Sequence, residues 1–272
     1  MSSIAPRSPA GTMGSPDGLT WPHILSADVR RLRTLRSTWW FTVAIVLLTV
    51  VTGATPALGV AVGALDGPPE EVAALGGSLG GIGVAQLLVA AFAVLAVTAE
   101  YATGAVTSTF TAVPRRAAVV VSRAAVVTAG VLALSLGITF TTFAVAHALL
   151  ATAGLDLPLT ASGVVRSLIG AAMYLAVVAA LATAFGWLLR STVGALAAVI
   201  GLFQFLPVIG FFLPAAIARQ VLPWLPSNAA GALMAPEPAP GMLPTWAALV
   251  VLIGYVVAAL ALAAVTVRRR DI

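Results

Sequence analysis

Six long apolar runs constrain the fold of this chain more than any other feature. A helix needs about 20 apolar residues to cross roughly 30 Å of hydrocarbon, and six segments meet that length. They cover residues 39–63, 79–99, 117–150, 164–189, 193–213 and 245–267. Only 8% of the 272 residues are charged, against about 25% in soluble domains. The sequence therefore predicts an all-α polytopic membrane protein with six transmembrane helices.

The connections between these segments carry further information. The third segment is longer than a membrane requires, so we expect it to begin outside the hydrocarbon or to be kinked. Only Arg190, Ser191 and Thr192 separate the fourth segment from the fifth, which predicts a tight helical hairpin. The loop at 214–244 is the longest, and part of it is apolar enough to re-enter the outer leaflet, where its backbone would need burial in protein.

The arginines predict the orientation, since cytoplasmic loops carry an excess of basic residues. With six alternating spans, most arginines fall on one side: Arg30, Arg31, Arg33, Arg36, Arg115, Arg116, Arg123, Arg190, Arg268, Arg269 and Arg270. Only Arg166 and Arg219 fall on the other. We therefore expect both termini in the cytoplasm and the protein in the cell membrane. The net charge of +5 then reflects topology and contact with anionic lipid, and not nucleic-acid binding.

The N-terminal region divides into two parts before the span domain of residues 39–272. Residues 1–20 are rich in Ser, Pro and Gly, which predicts a disordered tail and no signal peptide. Residues 21–38 place leucines and a valine at helical spacing among arginines, which predicts an amphipathic helix in the membrane interface. Its anchors would be Arg30, Arg31, Arg33, Arg36, Trp39 and Trp40. The alternative is a charge cluster that only sets topology.

A polar, basic elbow at residues 100–116 joins the second span to the third. Glu100 closes the second span, and Pro114 ends any helix in the elbow because it lacks an N–H. Arg115 and Arg116 then mark the cytosolic surface. An apolar stripe runs between these points: Tyr101, Val106, Phe110 and Val113. The elbow therefore predicts a short amphipathic helix that projects from the membrane, although such a loop in an arbitrary membrane protein is more often only a solvated connection.

The elbow also resembles a known signature. Glu-Tyr-x-x-Gly at 100–104, then Pro-Arg-Arg at 114–116 and a basic residue at Arg123, is similar to the pattern of permease subunits of type-2 class ABC exporters. Three other segments resemble actinobacterial members of that family: 32–40 before the first span, 186–192 at the hairpin between the fourth and fifth spans, and 268–271 at the end. Ala105 stands where members often have Thr, and Arg123 where many have Lys.

This resemblance implies a role for the elbow as a coupling helix that docks in a groove of a separate ATPase subunit. The coupling residues would be Glu100, Tyr101, Gly104, Phe110, Pro114, Arg115 and Arg116. It also implies a working unit of two permease and two ATPase subunits, in which the permease partner is a second copy or a sister subunit. The substrate would be exported along the interface between the two permeases.

All 14 basic residues of the chain are arginine, so it contains no lysine. A phosphate-binding G-x-x-x-x-G-K-[ST] loop therefore cannot exist here. We expect the chain to be a transport subunit and not an enzyme, with no cofactor or metal of its own, while the partner ATPase binds ATP and magnesium.

Polar side chains within the spans are few. Gln86, His147, Arg166 and Gln204 are candidates for a substrate pathway, although His147 and Arg166 lie near the outer interface, where packing or snorkelling would account for them. No carboxylate falls at mid-membrane depth, which weakens the alternative of an ATP-independent secondary transporter or channel. A largely apolar interior suits a hydrophobic or amphipathic substrate.

A membrane-embedded serine hydrolase is a second alternative. Residues 76–80 read Gly-x-Ser-x-Gly, which formally matches a nucleophile elbow around Ser78, and His147 lies near the same outer face. That motif requires a strand-to-helix turn, whereas here it leads into a membrane helix. A flexible loop or close helix packing is the better interpretation.

Overall fold

The computed structural model describes residues 25–30, 36–64, 79–102, 116–155, 158–237 and 239–269. Across these ranges the chain is helical apart from short turns, and they contain no strand. Six of the described helices are long and apolar enough to cross a membrane. The prediction of an all-α polytopic membrane protein with six spans is therefore confirmed.

Four long helices precede the central hairpin turn: α1 (Arg36–Ala61), α2 (Ile82–Ala102), α3 (Arg116–Ala151) and α4 (Val164–Leu189). The fifth span consists of α5 (Thr192–Ile200), a π-helical turn at Gly201–Phe205 and a short α6 (Leu206–Ile209). Two short helices follow, α7 (Ala215–Val221) and α8 (Pro226–Met234), before the last span, α9 (Thr245–Arg269).

Several predicted features lie outside the described residues. These are the N-terminal tail at 1–20, residues 31–35 of the interfacial helix and residues 103–115 of the elbow. Residues 25–30 of the predicted interfacial helix are helical.

Helix α4 lies at the centre of the bundle and packs against α2, α3 and α9. In its most apolar stretch 78% of the residues are buried, against 17% in the fifth and sixth spans. Alanines supply much of the buried surface, including Ala171, Ala172, Ala179, Ala180 and Ala182. Small side chains let neighbouring helices approach closely, and such packing replaces the hydrophobic effect as the source of association inside a membrane.

Two glycines of the α4 region receive the backbone of the segment that contains α8. A Cβ at Gly170 would overlap the carbonyl oxygen of Leu233, and one at Gly163 would overlap that of Pro236. Gly163 also has a φ of 82°, which favours glycine. The approach of this segment to α4 therefore requires glycine at both positions.

Helix α3 is the longest, with 36 residues. At 1.5 Å per residue it is about 54 Å long, whereas the hydrocarbon is about 30 Å thick. It therefore extends beyond the hydrocarbon or is strongly tilted, in agreement with the excess length that the sequence indicates.

The turn between α4 and α5 is as tight as predicted. Arg190 ends α4 in the left-handed conformation, with φ 52° and ψ 17°. Ser191 caps α5, and its side chain accepts a hydrogen bond from the backbone N–H of Gly194 at 3.2 Å. This cap satisfies one of the free N–H groups at the start of α5.

The long segment between the fifth and sixth spans folds into α7 and α8. We call them the outer helical pair, after the side of the membrane that the arginine distribution predicts for them. Ala229, Ala230 and Leu233 of α8 are buried in the main hydrophobic core together with residues of α4 and α9. The apolar part of the predicted loop is therefore part of the packed bundle. Its depth relative to the bilayer stays a prediction.

We expect Gly170→Ala to destabilise the protein by about 1–3 kcal/mol, because the added methyl group must push α8 away from α4. Gly137→Ala in α3 is the matched control, since a Cβ there meets nothing within 4 Å. Thermal unfolding in mild detergent measures both. Equal stability of the two variants would contradict the close packing of α8 on α4.

Candidate functional site

Glu100, near the C-terminal end of α2, is completely buried, with 0% of its surface exposed. Its Oε1 atom forms an ion pair with Nη1 of Arg123 on α3 at 2.8 Å. The pair joins the two helices that enter and leave the elbow. A carboxylate buried to this extent requires such a partner, because an isolated buried charge is very costly.

The guanidinium of Arg123 bridges two carboxylates. Its Nε donates to Oδ1 of Asp28 at 2.8 Å, and its Nη2 lies 2.7 Å from the same oxygen. Nη1 contacts Glu100 and also donates to the backbone carbonyl of Ala96 at 2.9 Å. The planar fork of an arginine can hold all three acceptors, whereas a lysine is a point charge on a flexible stem.

Asp28 comes from the short helical segment at 25–30 that precedes α1. It is 7% exposed, and its Oδ2 accepts a hydrogen bond from the hydroxyl of Ser122 at 2.7 Å. We call Asp28, Glu100, Ser122 and Arg123 the junction cluster. The cluster ties the N-terminal segment, the end of α2 and the start of α3 to one point.

The end of α2 is also held from the side of α4 and α5. The ring of Tyr101 packs edge-on against Trp187, with centroids 5.9 Å apart, and the guanidinium of Arg190 lies 5.5 Å from the Tyr101 centroid. Thr192 donates a hydrogen bond to the hydroxyl oxygen of Thr98 at 2.8 Å. The end of α2 is thus held by α4, by the turn at Arg190 and by the start of α5.

The predicted coupling residues are only partly described. Glu100 and Tyr101 lie in the arrangement given above, and Arg116 begins α3. The others lie outside the described residues: Gly104, Phe110, Pro114 and Arg115. Their contact with an ATPase stays a prediction.

Asp28 is a member of the cluster that sequence reasoning missed. A signal for it exists, because Asp28 follows Leu25 by three positions and precedes Leu32 by four, which places it on the apolar stripe of the predicted helix. A carboxylate on the apolar face of an arginine-rich helix indicates a buried basic partner. The stripe alone does not say that this partner is Arg123.

The described membrane-interface anchors are exposed. Trp39 and Trp40 at the start of α1 are 67% and 75% exposed, and Arg30 and Arg36 are exposed as well. Arg31 and Arg33 lie outside the described residues. Exposed tryptophans beside arginines at a helix start suit the headgroup region of a bilayer.

Two of the four pathway candidates hold helices together. Gln86 of α2 accepts a hydrogen bond from the Tyr174 hydroxyl of α4 at 2.7 Å, and the Tyr174 ring packs edge-on against Phe203. Arg166 of α4 donates to Thr245 at 3.0 Å and to the backbone carbonyls of Ala235 and Pro236. Arg166 therefore fastens the end of the outer helical pair to α4 and α9.

The other two candidates lie in different surroundings. His147 stacks on Phe143 of the same helix, with ring planes 3° apart. Gln204 lies in the π-helical turn of the fifth span on an exposed face. Ser78, the nucleophile of the hydrolase alternative, lies outside the described residues.

No protein-family model matches the sequence, and no curated protein is a significant match to it.

We expect Arg123→Met to lower the free energy of unfolding by about 3–5 kcal/mol, because it leaves two buried carboxylates facing each other. Arg123→Lys should cost less, since it keeps the charge and loses the fork. Arg268→Met, at the exposed end of α9, is the matched control, with an expected cost of about 0–1 kcal/mol. Unfolding in mild detergent measures all three, and an Arg123→Met variant as stable as the control would refute the cluster's role.

We expect Arg166→Met to loosen the outer helical pair while the rest of the bundle stays folded, because it removes the donors that hold Ala235, Pro236 and Thr245. Hydrogen exchange should rise in residues 215–242 and remain unchanged in α2 and α3. If residues 215–242 are protected from hydrogen exchange equally in the variant and in the parent protein, then packing of α8 alone holds the outer helical pair in place.

Proposed function

We propose that this chain is the membrane-spanning permease subunit of an ATP-driven exporter of the type-2 ABC class, which moves a hydrophobic or amphipathic substrate across the cell membrane. The motif at 100–123 and its three companion segments suggest this family. The six spans are the number that the family resemblance implies. The junction cluster is the single observation that favours coupling over a merely solvated loop.

The cluster supports the proposal because force must reach this chain through a protein contact. Without lysine the chain has no P-loop of its own, so ATP and magnesium would be bound by the partner. The ATPase would push on the elbow. Glu100 at the start of the elbow pairs with Arg123, seven residues beyond its end, so the two helices that flank the elbow are joined. A domain rotation applied there would be carried into α2 and α3 as a rigid tilt.

Asp28 extends this coupling to the region before the first span. Because Arg123 holds Asp28 and Glu100 at once, the N-terminal segment would move together with the elbow. Breaking the cluster and moving the helices separately would expose buried charges, which is unfavourable. The predicted result is one mechanical unit made of the N-terminal segment, the end of α2 and the start of α3.

Several features favour the proposed orientation, with both termini in the cytoplasm. The C-terminal end of α9 packs near Val97 and Trp187, at the same end of the bundle as the junction cluster. Arg268 and Arg269 close that helix. An excess of arginine at one end is typical of the cytoplasmic side.

A second permease subunit would complete the pore. The fifth span is only 17% buried in its most apolar stretch, and Gln204 presents an amide on its exposed face. An amide in hydrocarbon gains from a hydrogen-bonding partner on another helix. This face is therefore the surface that we assign to the permease partner.

The test is co-expression and co-purification with ABC-type ATPase subunits from the same genome. We expect a stable complex, and we expect Arg115→Glu/Arg116→Glu to release the ATPase because the docking surface would lose its positive charge. The matched control is Arg268→Glu/Arg269→Glu, an equal charge reversal at the end of α9. The complex should survive in the control.

Glu100→Gln separates docking from coupling. It removes the charge of a buried cluster residue and leaves the elbow surface intact, so the ATPase should still bind while its turnover no longer responds to the permease. A permease that purifies alone under every condition would favour the ATP-independent transporter or channel instead. Function that survives Ser78→Ala removes the hydrolase.

A further inference from the structure

An open cavity of about 550 Å³ lies within the outer helical pair. That pair packs on the start of α4 at Gly170, whereas Tyr101 beside the junction cluster packs on Trp187 near the end of α4, so the two are at opposite ends of the bundle. Its walls come from α7, from the turn that joins α7 to α8, from the first part of α8 and from residues 240–242 before α9. A cavity of this volume is within the range of small-molecule sites.

The lining of the cavity is amphipathic. The apolar part consists of alanines of α7 together with Leu222, Pro223 and Met242. Among the described residues, the polar part of the lining consists of Arg219, Ser227 and Asn228, and Arg219 is the one ionisable side chain. One positive charge beside an apolar wall is the complement of a molecule with an acidic head and an apolar chain.

The polar groups of the lining have capacity for a ligand. Among the residues that the structure describes, no carboxylate pairs with Arg219. The hydroxyl of Ser227 is shielded from solvent and has no hydrogen-bond partner within the same described part of the chain. Asn228 uses its amide N–H to hold the carbonyl of Leu222 at 2.8 Å, which fixes the turn between the two helices.

We propose that this cavity binds an anionic amphiphile, with the acidic head on Arg219 and Ser227 and the start of its chain along Leu222, Pro223 and Met242. A guanidinium that no carboxylate of the described residues neutralises favours an anion over a neutral lipid. The apolar wall favours an attached chain over a small free anion. This inference goes beyond the proposed function and does not depend on an ATPase partner.

Gly231 of α8 supplies a sharp test of the site. It lines the cavity, and a Cβ added there meets nothing within 4 Å. Gly231→Leu should therefore obstruct the cavity, and its Cβ can be added without displacing α8. Gly254→Leu in α9 is the matched control, because a Cβ there also meets nothing within 4 Å and Gly254 does not line the cavity.

The experiment uses the full chain in phosphatidylcholine nanodiscs with diazirine-bearing hexadecanoic acid at alkaline pH. Diazirine-bearing hexadecanol, which has the same chain and no charge, is the counter-probe. Photolabel on residues 215–242 is measured by peptide mapping relative to photolabel on α9 in the same sample. We expect the acid to label 215–242 about tenfold more than the alcohol, the ratio that a charge-assisted hydrogen bond at the low end of its usual strength supplies.

The variants decide between outcomes. Gly231→Leu should abolish the enrichment and Gly254→Leu should keep it. Arg219→Gln should reduce acid labelling to that of the alcohol, while Arg268→Gln should not change it. Equal labelling by acid and alcohol, or unchanged labelling in Gly231→Leu, would overturn the proposal. Competition by acetate as effective as competition by unlabelled hexadecanoic acid would replace the amphiphile with a small free anion.

Discussion

One guanidinium between two buried carboxylates organises the end of this bundle that carries the elbow. Arg123 is 3% exposed and Glu100 is 0% exposed, so neither can be solvated in place of its partner. Burial of ions costs several kcal/mol each, and only close pairing with extra hydrogen bonds offsets that cost. Ser122 and the Ala96 carbonyl supply those bonds. The net gain in stability is modest, and the main consequence is that a single arrangement of three chain segments is selected.

The remainder of the bundle depends on close approach of backbones. Inside a membrane the lipid is as apolar as the side chains, so packing and internal hydrogen bonds replace the hydrophobic effect. Alanines around α4 and the glycines at 163 and 170 permit that approach, and the Gln86–Tyr174 hydrogen bond fixes the relative height of α2 and α4. The two ends of the bundle are held by different interactions. Ion pairs of Arg123 join the helices near the elbow, whereas hydrogen bonds from Arg166 to backbone carbonyls join them at the opposite end.

Much of the fold could be predicted from the sequence, because hydrophobic length is a direct requirement of the bilayer. The six spans and the tight turn at Arg190 follow from apolar runs and their separation. The helical character of the 214–244 segment was not predicted, since its prolines and small residues read as a loop. Leu222, Pro223 and Trp224 form a 3-10 turn there, and Pro226 starts α8 at a position where its missing N–H costs nothing.

Individual site residues were harder to predict than spans. The resemblance to a known family drew attention to Glu100 and Arg123. It did not draw attention to Asp28, which lies more than 90 positions from Arg123 in the sequence and meets it only in the packed structure. Arg166 was assigned to a pathway, to packing or to snorkelling. Its actual partners are backbone carbonyls, which no side-chain pattern reveals. Sequence periodicity identifies faces of helices, and the partner of each face emerges only when the helices are packed.

The length of α3 has a mechanical consequence. A helix of 36 residues is a stiff rod of about 54 Å, and the junction cluster grips it close to one end. From Arg123 to Ala151 the helix is about 42 Å long. A tilt of about 5° around that grip would therefore move the far end by about 3.7 Å, about two thirds of the helical pitch. Leu150, near that far end, is packed with Val164 at the start of α4. A small angular change at one surface of the membrane would therefore arrive at the other surface as a displacement large enough to change which side chains are in contact.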